Sequence, residues 1–266
     1  MLSEAQIQQY QRDGYVIPDF RLSDQAIDEI ASAHDRLLAK HPEFKDYCPA
    51  VLAFDTWFLG IARNPEILGM VQQLIGEHFA LWNSSFFAKP PRVGTRTPWH
   101  QDGEYWPIRP LATCSVWIAV DPATTENGCL RIIPGSHRRR ELGQHDFNGA
   151  KGLSLPLELR QGEFDESQAR DIVLERGQVS LHDIFLVHGS EPNHSEHPRR
   201  GMTLRYMPTT SVYRRDLAGS RPAGSPQAGG ARGASSRKGP LAMSERTLYL
   251  MRGQDLSGQN DFRIRA

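Results

Sequence analysis

FALWNSSFFAK, residues 79–89, opens a series of short runs rich in Val, Ile, Phe, Trp and Thr. TPWHQDG (97–103), TCSVWIAV (113–120), CLRIIPG (129–135), QVSLHDIFLVHG (178–189) and GMTLRYMP (201–208) follow, punctuated by Pro and Gly. β-branched and aromatic side chains suit a pleated, half-buried surface, and short strands divided by turn signals mark an all-β sandwich or barrel. No βαβ alternation appears. The expected fold is mainly β with flanking helices, with its core in residues 79–210.

Outward from that core, residues 1–76 read as helical packing. Ser3 sits in N-cap position with Gln6 three residues later, the spacing of a capping box, and Gly14 ends that helix. Ser23 opens a second helix, with Ile27, Ile30, Ala31 and Leu37 on one face, which Pro42 stops. A third runs from Pro65 through Ile67, Val71, Leu74 and Ile75 to Gly76. On the far side, residues 218–240, AGSRPAGSPQAGGARGASSRKGP, hold almost no large apolar side chain. Such a stretch cannot bury enough surface to offset its chain entropy, so a flexible insert is expected. Residues 241–266 regain apolar character and are expected to pack back on a single domain spanning 1–266.

Composition removes several classes. Lys plus Arg and Asp plus Glu both number 31, so no global field draws the chain to nucleic acid or to an acidic membrane surface. No apolar run approaches the roughly 20 residues of a membrane helix. Met1 leads straight into polar sequence unlike a signal peptide, and the three cysteines (Cys48, Cys114, Cys129) show no regular spacing. A soluble, cytoplasmic protein, monomer or homodimer, is the expectation.

The chemistry is carried by TPWHQDGEYW, residues 97–106. His100 and Asp102 stand two apart at a strand end, where side chains at i and i+2 share a face and can reach one ion. His188, which ends the run IFLV before Gly189 and Ser190, supplies a third ligand. Two histidines and a carboxylate on one face of a metal leave other positions open, the arrangement of non-haem iron(II) oxygenases, although zinc hydrolases use similar sets. His182 is six residues earlier, shares the face of His188 by strand counting, and competes for that role or lines the substrate cavity. Arg199, with Arg200 beside it, precedes the strand GMTLRYMP. A guanidinium grips a carboxylate through two parallel hydrogen bonds, which suits a dicarboxylic cosubstrate, and Ser190 can add a hydroxyl.

FFAKPPRVGTRTPWHQDGEYWPIRP, SVWIAVDPATTENGCLRIIPGSH and LHDIFLVHGSEPNHSEHPRRGMTLRYMP together resemble the phytanoyl-CoA dioxygenase (PhyH) superfamily of iron(II)- and 2-oxoglutarate-dependent oxygenases. The N-terminal LSEAQIQQYQRDGYVIPDF and the late LYLMRGQDLSGQNDF extend the likeness over most of the chain, apart from the insert. The resemblance implies a double-stranded β-helix, a cupin-like jelly roll. It implies Fe(II), 2-oxoglutarate and O2, with 2-oxoglutarate converted to succinate and CO2 as an unactivated C–H of a small molecule is hydroxylated. It matches His100, Asp102 and His188 to the metal ligands, Arg199 to the 2-oxoglutarate arginine, and Lys89, Trp117 and Ser190 to the cosubstrate pocket. Related halogenases replace the carboxylate by a small residue; Asp102 therefore points to oxygen insertion.

Tyr105, Trp106 and Arg109, just past the His-Gln-Asp segment, together with Arg131 and His182, are candidates to line the substrate cavity. The arginines suit an anionic group, the aromatics a quaternary ammonium. Asn127 and Gly128 read as a hairpin turn and Asn193 as a turn former. Two other readings use the same ligands: a metal-dependent hydrolase or isomerase on a cupin-like barrel, which needs neither O2 nor 2-oxoglutarate, and a metal-binding sensor without turnover.

Overall fold

The computed structural model describes residues 1–218 and 241–265, so the insert expected at 218–240 lies outside the described residues apart from Ala218. Ser3 caps the helix Glu4–Asp13: its hydroxyl accepts from the Gln6 N–H while Gln6 accepts from the Ser3 N–H. Ser23 caps Asp24–Lys40 and Asn64 caps Pro65–Ile75, which starts on its proline. A five-residue helix, Phe58–Ala62, carried no signal in the sequence reading. In Asp24–Lys40 the buried stripe is Ile27, Ile30, Ala33, His34 and Leu37; Ala31 is only half-buried, because the 3.6-residue repeat puts 34 rather than 31 beneath 27 and 30.

Two antiparallel sheets carry the site. The larger has eight strands among the described residues: Tyr15–Val16, Val179–Asp183, Cys114–Ala119, Arg199–Pro208, Phe79–Lys89, Leu248–Arg252 and Phe262–Arg265 in spatial order, with Tyr47–Cys48 also on Phe79–Lys89. Only Leu248–Arg252 and Phe262–Arg265 run parallel. The smaller runs Arg170–Ile172, Leu130–Ile132, His188–Ser190, Thr97–His100. This is the jelly-roll, cupin-like architecture. Asn127 and Gly128 do form a turn, but not a hairpin: the strands on either side, Cys114–Ala119 and Leu130–Ile132, belong to different sheets.

The period of two along the larger sheet sorts its residues between two environments. Cys114, Val116, Ile118, Val179, Leu181, Met202, Leu204 and Tyr206 face outward and join Ile27, Ile30, Ile67 and Val71 of the helices in the main core. Each such aliphatic side chain contributes about 1.5–3 kcal/mol on burial. Their alternates Ser115, Trp117, His182, Arg199, Thr203 and Arg205 line a cavity between the sheets. The helices therefore cover one apolar face, and the polar face is left to the interior of the roll.

Candidate active site

Strand pairing brings the distant histidines together. His188 begins its strand directly across from His100 in the smaller sheet. Asp102 arrives differently from the expected strand geometry: the chain leaves the strand after His100 and winds into a 3-10 turn, Asp102–Glu104. One ligand atom from each of His100, Asp102 and His188 lies within 4.8 Å of the others, and all three residues are buried. The Nε2 atoms of His100 and His188 stand 3.6 and 3.9 Å from Asp102 Oδ1.

Both imidazoles are oriented by the backbone carbonyl two residues upstream. His100 Nδ1 lies 2.8 Å from the Pro98 carbonyl and His188 Nδ1 2.9 Å from the Leu186 carbonyl. A carbonyl oxygen only accepts, so each Nδ1 carries the proton and each Nε2 keeps its lone pair for a cation. Burial, with His100 nearby, holds the His188 pKa well below its ordinary value, so it is neutral at neutral pH. Burial opposes ionisation of Asp102, but His100, His182, His188 and Arg205 outweigh it and keep the carboxyl well below its usual range. Two imidazole nitrogens plus an ionised carboxylate form a donor set that fits a divalent iron ion.

The second oxygen of Asp102 faces the larger sheet. His182 Nε2 is 3.6 Å from Oδ2 and the Ser115 hydroxyl donates to it at 3.5 Å. His182 thus stands beside the triad and lines the same cavity.

Arg199 lines the cavity from the larger sheet and is buried. Its Nε donates to the Gly128 carbonyl and its Nη1 to the Phe87 carbonyl, bonds that leave Nη2 out and aim the guanidinium. Burial draws its pKa down to about 10, so it stays charged at neutral pH. Its Cζ is 5.6 Å from the Trp117 ring. That contact depends on Gly201, where any Cβ would collide with the indole. Ser190 is also on the cavity wall. Gly128 must be glycine on two counts: φ is 79°, and a Cβ there would strike the Glu191 carbonyl.

Other candidates take different places. Lys89 is buried with its ammonium turned to the carbonyls of Thr95 and Glu191 at 2.5 Å and Ser190 at 3.5 Å. An ammonium has three donors, and these three carbonyls use them to tie the ends of the two sheets together. Burial and the adjacent Arg199 push its pKa down to about 6. Tyr105 packs its ring against His100 at 5.8 Å, with its hydroxyl bonded to Leu157. Trp106 lies one layer behind the wall, against Trp82. Arg109 is exposed and folds onto the Trp106 and Ile108 carbonyls. Arg131 pairs with Glu166, Asp171 and Glu191, so its charge is already met away from the cavity.

Two residues escaped the sequence reading. Gln101, between His100 and Asp102, donates from Nε2 to the Glu141 and Phe185 carbonyls and accepts from the Gly143 N–H, while its own N–H donates to His145. It pins the segment that presents His100 and Asp102, and nothing local marks a glutamine for this. Arg205 lines the cavity, and for it a signal existed: steps of two from Arg199 pass Gly201 and Thr203 to reach it.

A family model described as Phytanoyl-CoA dioxygenase (PhyH) matches residues 10–201. The phytanoyl-CoA dioxygenase domain-containing protein 1 homolog of Caenorhabditis elegans is 25% identical over 258 residues, covering 75% of this chain and 89% of its own length. Human peroxisomal phytanoyl-CoA dioxygenase is 31% identical over 155 residues, 56% of this chain and 45% of its own. The solved structure of the non-heme monooxygenase ThoJ, in its apo form, superposes with a TM-score of 0.71 at 23% identity, covering 97% of this chain and 86% of that one. EvdO2 from Micromonospora carbonacea var. aurantiaca, complexed with 2-oxoglutarate, superposes at 0.66 and 23%, covering 78% and 91%. At those identities the superpositions speak for the fold, and the family match over residues 10–201 speaks for descent. The chain belongs to the phytanoyl-CoA dioxygenase family of iron(II)- and 2-oxoglutarate-dependent dioxygenases.

Proposed function

We propose that this chain hydroxylates an unactivated C–H bond of a small molecule in the cytoplasm, with His100, Asp102 and His188 as the iron ligands and Arg199 as the cosubstrate clamp. One observation carries the reading. Two imidazoles with Nδ1 engaged by backbone carbonyls turn Nε2 toward one buried carboxylate, in a cavity that also holds a buried guanidinium. The compartment is supported by three buried cysteines, none of them in a disulfide. Among the described residues no helix is long and apolar enough to cross a membrane.

When bound, iron and 2-oxoglutarate supply the oxidising chemistry, consuming O2 and releasing succinate and CO2. The residues of the chain bind and orient. Asp102 and the two Nε2 atoms would hold the cation at the cavity wall. Arg199 offers its remaining donor edge to the distal carboxylate, and Trp117 walls the space beside it. Ser115 and His182 steady the second carboxylate oxygen of Asp102. The buried lining keeps bulk water from the reacting centre.

The test is succinate release from 2-oxoglutarate by the iron-loaded protein across a panel of small acids, betaines, phosphonates and acyl thioesters, with and without O2. Release that requires O2 and rises with one compound class supports the proposal. Turnover of any panel compound under strict anaerobiosis without 2-oxoglutarate would instead favour a hydrolase or isomerase. Asp102→Ala should abolish iron retention and succinate release; full activity in that variant overturns the ligand assignment.

A further inference from the structure

Arg205 poses a charge problem that the cosubstrate does not solve. It is 5% exposed, lines the cavity, and makes no ion pair among the described residues, although it is near enough to Asp102 to help hold that carboxyl ionised. Its Nη1 donates to the Ser85 hydroxyl, which carries no counter-charge, and its Nε–H is buried without an acceptor. The guanidinium lies over the rings of Trp106, 5.0 Å away, and Phe87, 5.8 Å away. Aromatic faces ease the burial of a cation but do not neutralise it. A guanidinium, unlike an amine, cannot shed its proton to escape. A second buried guanidinium, Arg246, is near enough to feel Arg205 as a like charge and has its pKa lowered by burial and by that neighbour among others.

The formal charges of the loaded site make the demand specific. The two positive charges of ferrous iron and the one on Arg199 are balanced by the single negative charge of Asp102 and the two carboxylates of 2-oxoglutarate. Arg205 remains outside that balance. It is placed apart from Arg199 as well, because six residues on one strand span about 20 Å. Cross-strand register sets Arg205 opposite Ser115, which in turn is opposite His182, so it shares a row with the two residues that face Asp102. Arg199 and Arg205 therefore address different ends of one cavity.

Resting on the oxygenase reading above, we infer that Arg205 anchors one anionic group of the substrate, a carboxylate or a phosphonate, through the donor edge left free by Ser85. The substrate is thus a small organic acid. Cation–π capture of a quaternary ammonium at this end is disfavoured, because Trp106 and Phe87 already stack on the guanidinium.

The experiment pairs acids with neutral isosteres: hexanoate with hexanamide, benzoate with benzamide, and phenylphosphonate with its dimethyl ester. Each is titrated anaerobically into full-length protein loaded with iron and 2-oxoglutarate, and binding is read by perturbation of the ferrous 2-oxoglutarate absorption band and by tryptophan fluorescence. The expected result is that at least one acid binds about tenfold to a hundredfold more tightly than its isostere, as loss of a charge-assisted hydrogen bond implies. Preference for benzoate or hexanoate identifies a carboxylate, and preference for phenylphosphonate a phosphonate. Arg205→Met should erase the preference, Arg205→Lys should restore part of it, and both should still bind 2-oxoglutarate. A purely structural arginine would leave acid and isostere equal in the native protein, and that equality overturns the inference. So does a preference that survives Arg205→Met, or a variant whose defect is in 2-oxoglutarate affinity alone. If Arg205→Met does not fold, the native and Arg205→Lys titrations decide. Should the native protein fail to bind 2-oxoglutarate at all, the oxygenase reading itself falls, an outcome separable from the loss of acid preference.

Discussion

At the scale of single residues, the site depends on contacts that a small change can remove. Arg199→Lys keeps a positive charge but loses the planar fork, so the 2-oxoglutarate requirement should rise about tenfold to a hundredfold. Steady-state KM for 2-oxoglutarate reads this, and an unaltered value would move the clamp to another residue. Gly201→Ala inserts a methyl where the Trp117 indole lies. Overpacking of this kind costs about 1–3 kcal/mol. The urea midpoint should fall accordingly, and 2-oxoglutarate should bind more weakly as the indole shifts under Arg199. Gln101→Leu orphans the Glu141 and Phe185 carbonyls and the Gly143 N–H together. It should lower metal affinity about tenfold or more while leaving both ligand side chains in place; calorimetric titration with Mn(II) measures that, and native affinity would show that the segment holds itself.

Among the elements, the helix Asp24–Lys40 carries a pH dependence distant from the cavity. His34 is fully buried, its ring 4.1 Å from Phe86, and neither ring nitrogen has a hydrogen-bond partner. Burial, aided by Arg200, depresses its pKa to about 4 from an ordinary 6.5. Between those values the unfolded chain binds a proton that the native state refuses, so stability falls as pH drops from about 6.5 and levels off below about 4. The full effect of this one group is about 3 kcal/mol. His34→Phe should flatten that acid limb in urea unfolding measured at pH 7 and pH 4.5, and an unchanged slope would mean the imidazole titrates freely. The same helix shows what its sequence could encode. Its Ser23 cap and apolar stripe were legible because both depend on neighbours three and four residues away, whereas Phe58–Ala62 has neither a side-chain cap nor the length for a periodic stripe. Strand alternation is legible only within one strand: along Arg199–Pro208 it puts Arg205 on the face of Arg199, but counting from His182 to His188 fails, because the chain turns after Asp183 and the two histidines belong to different sheets.

On the scale of the whole molecule, the proposed metal site would couple metal binding to folding. His188 and His100 meet only when two strands of the smaller sheet pair, so the ion gathers chain segments that have no reason to associate when unfolded. At a free metal concentration a hundred times its Kd, the folded state should gain about 2.7 kcal/mol. Scanning calorimetry with Mn(II) and 2-oxoglutarate, against EDTA-treated protein, should show the midpoint rising, and His188→Ala should remove the rise.

By itself the sequence determined what rests on short-range geometry: the helix caps, the strand texture, the spaced His-x-Asp pair with a later histidine, and the arginine after it. Tertiary structure decided what depends on register between distant strands. It set His188 across from His100 and left His182 against the other oxygen of Asp102. It turned the Lys89 donors to three carbonyls, gave Arg131 to surface carboxylates, split the Asn127-Gly128 turn between two sheets, and buried Arg205 without an ion pair among the described residues. Periodicity says which face of a strand a side chain takes; only the pairing, stacking and closing of sheets says what that face meets.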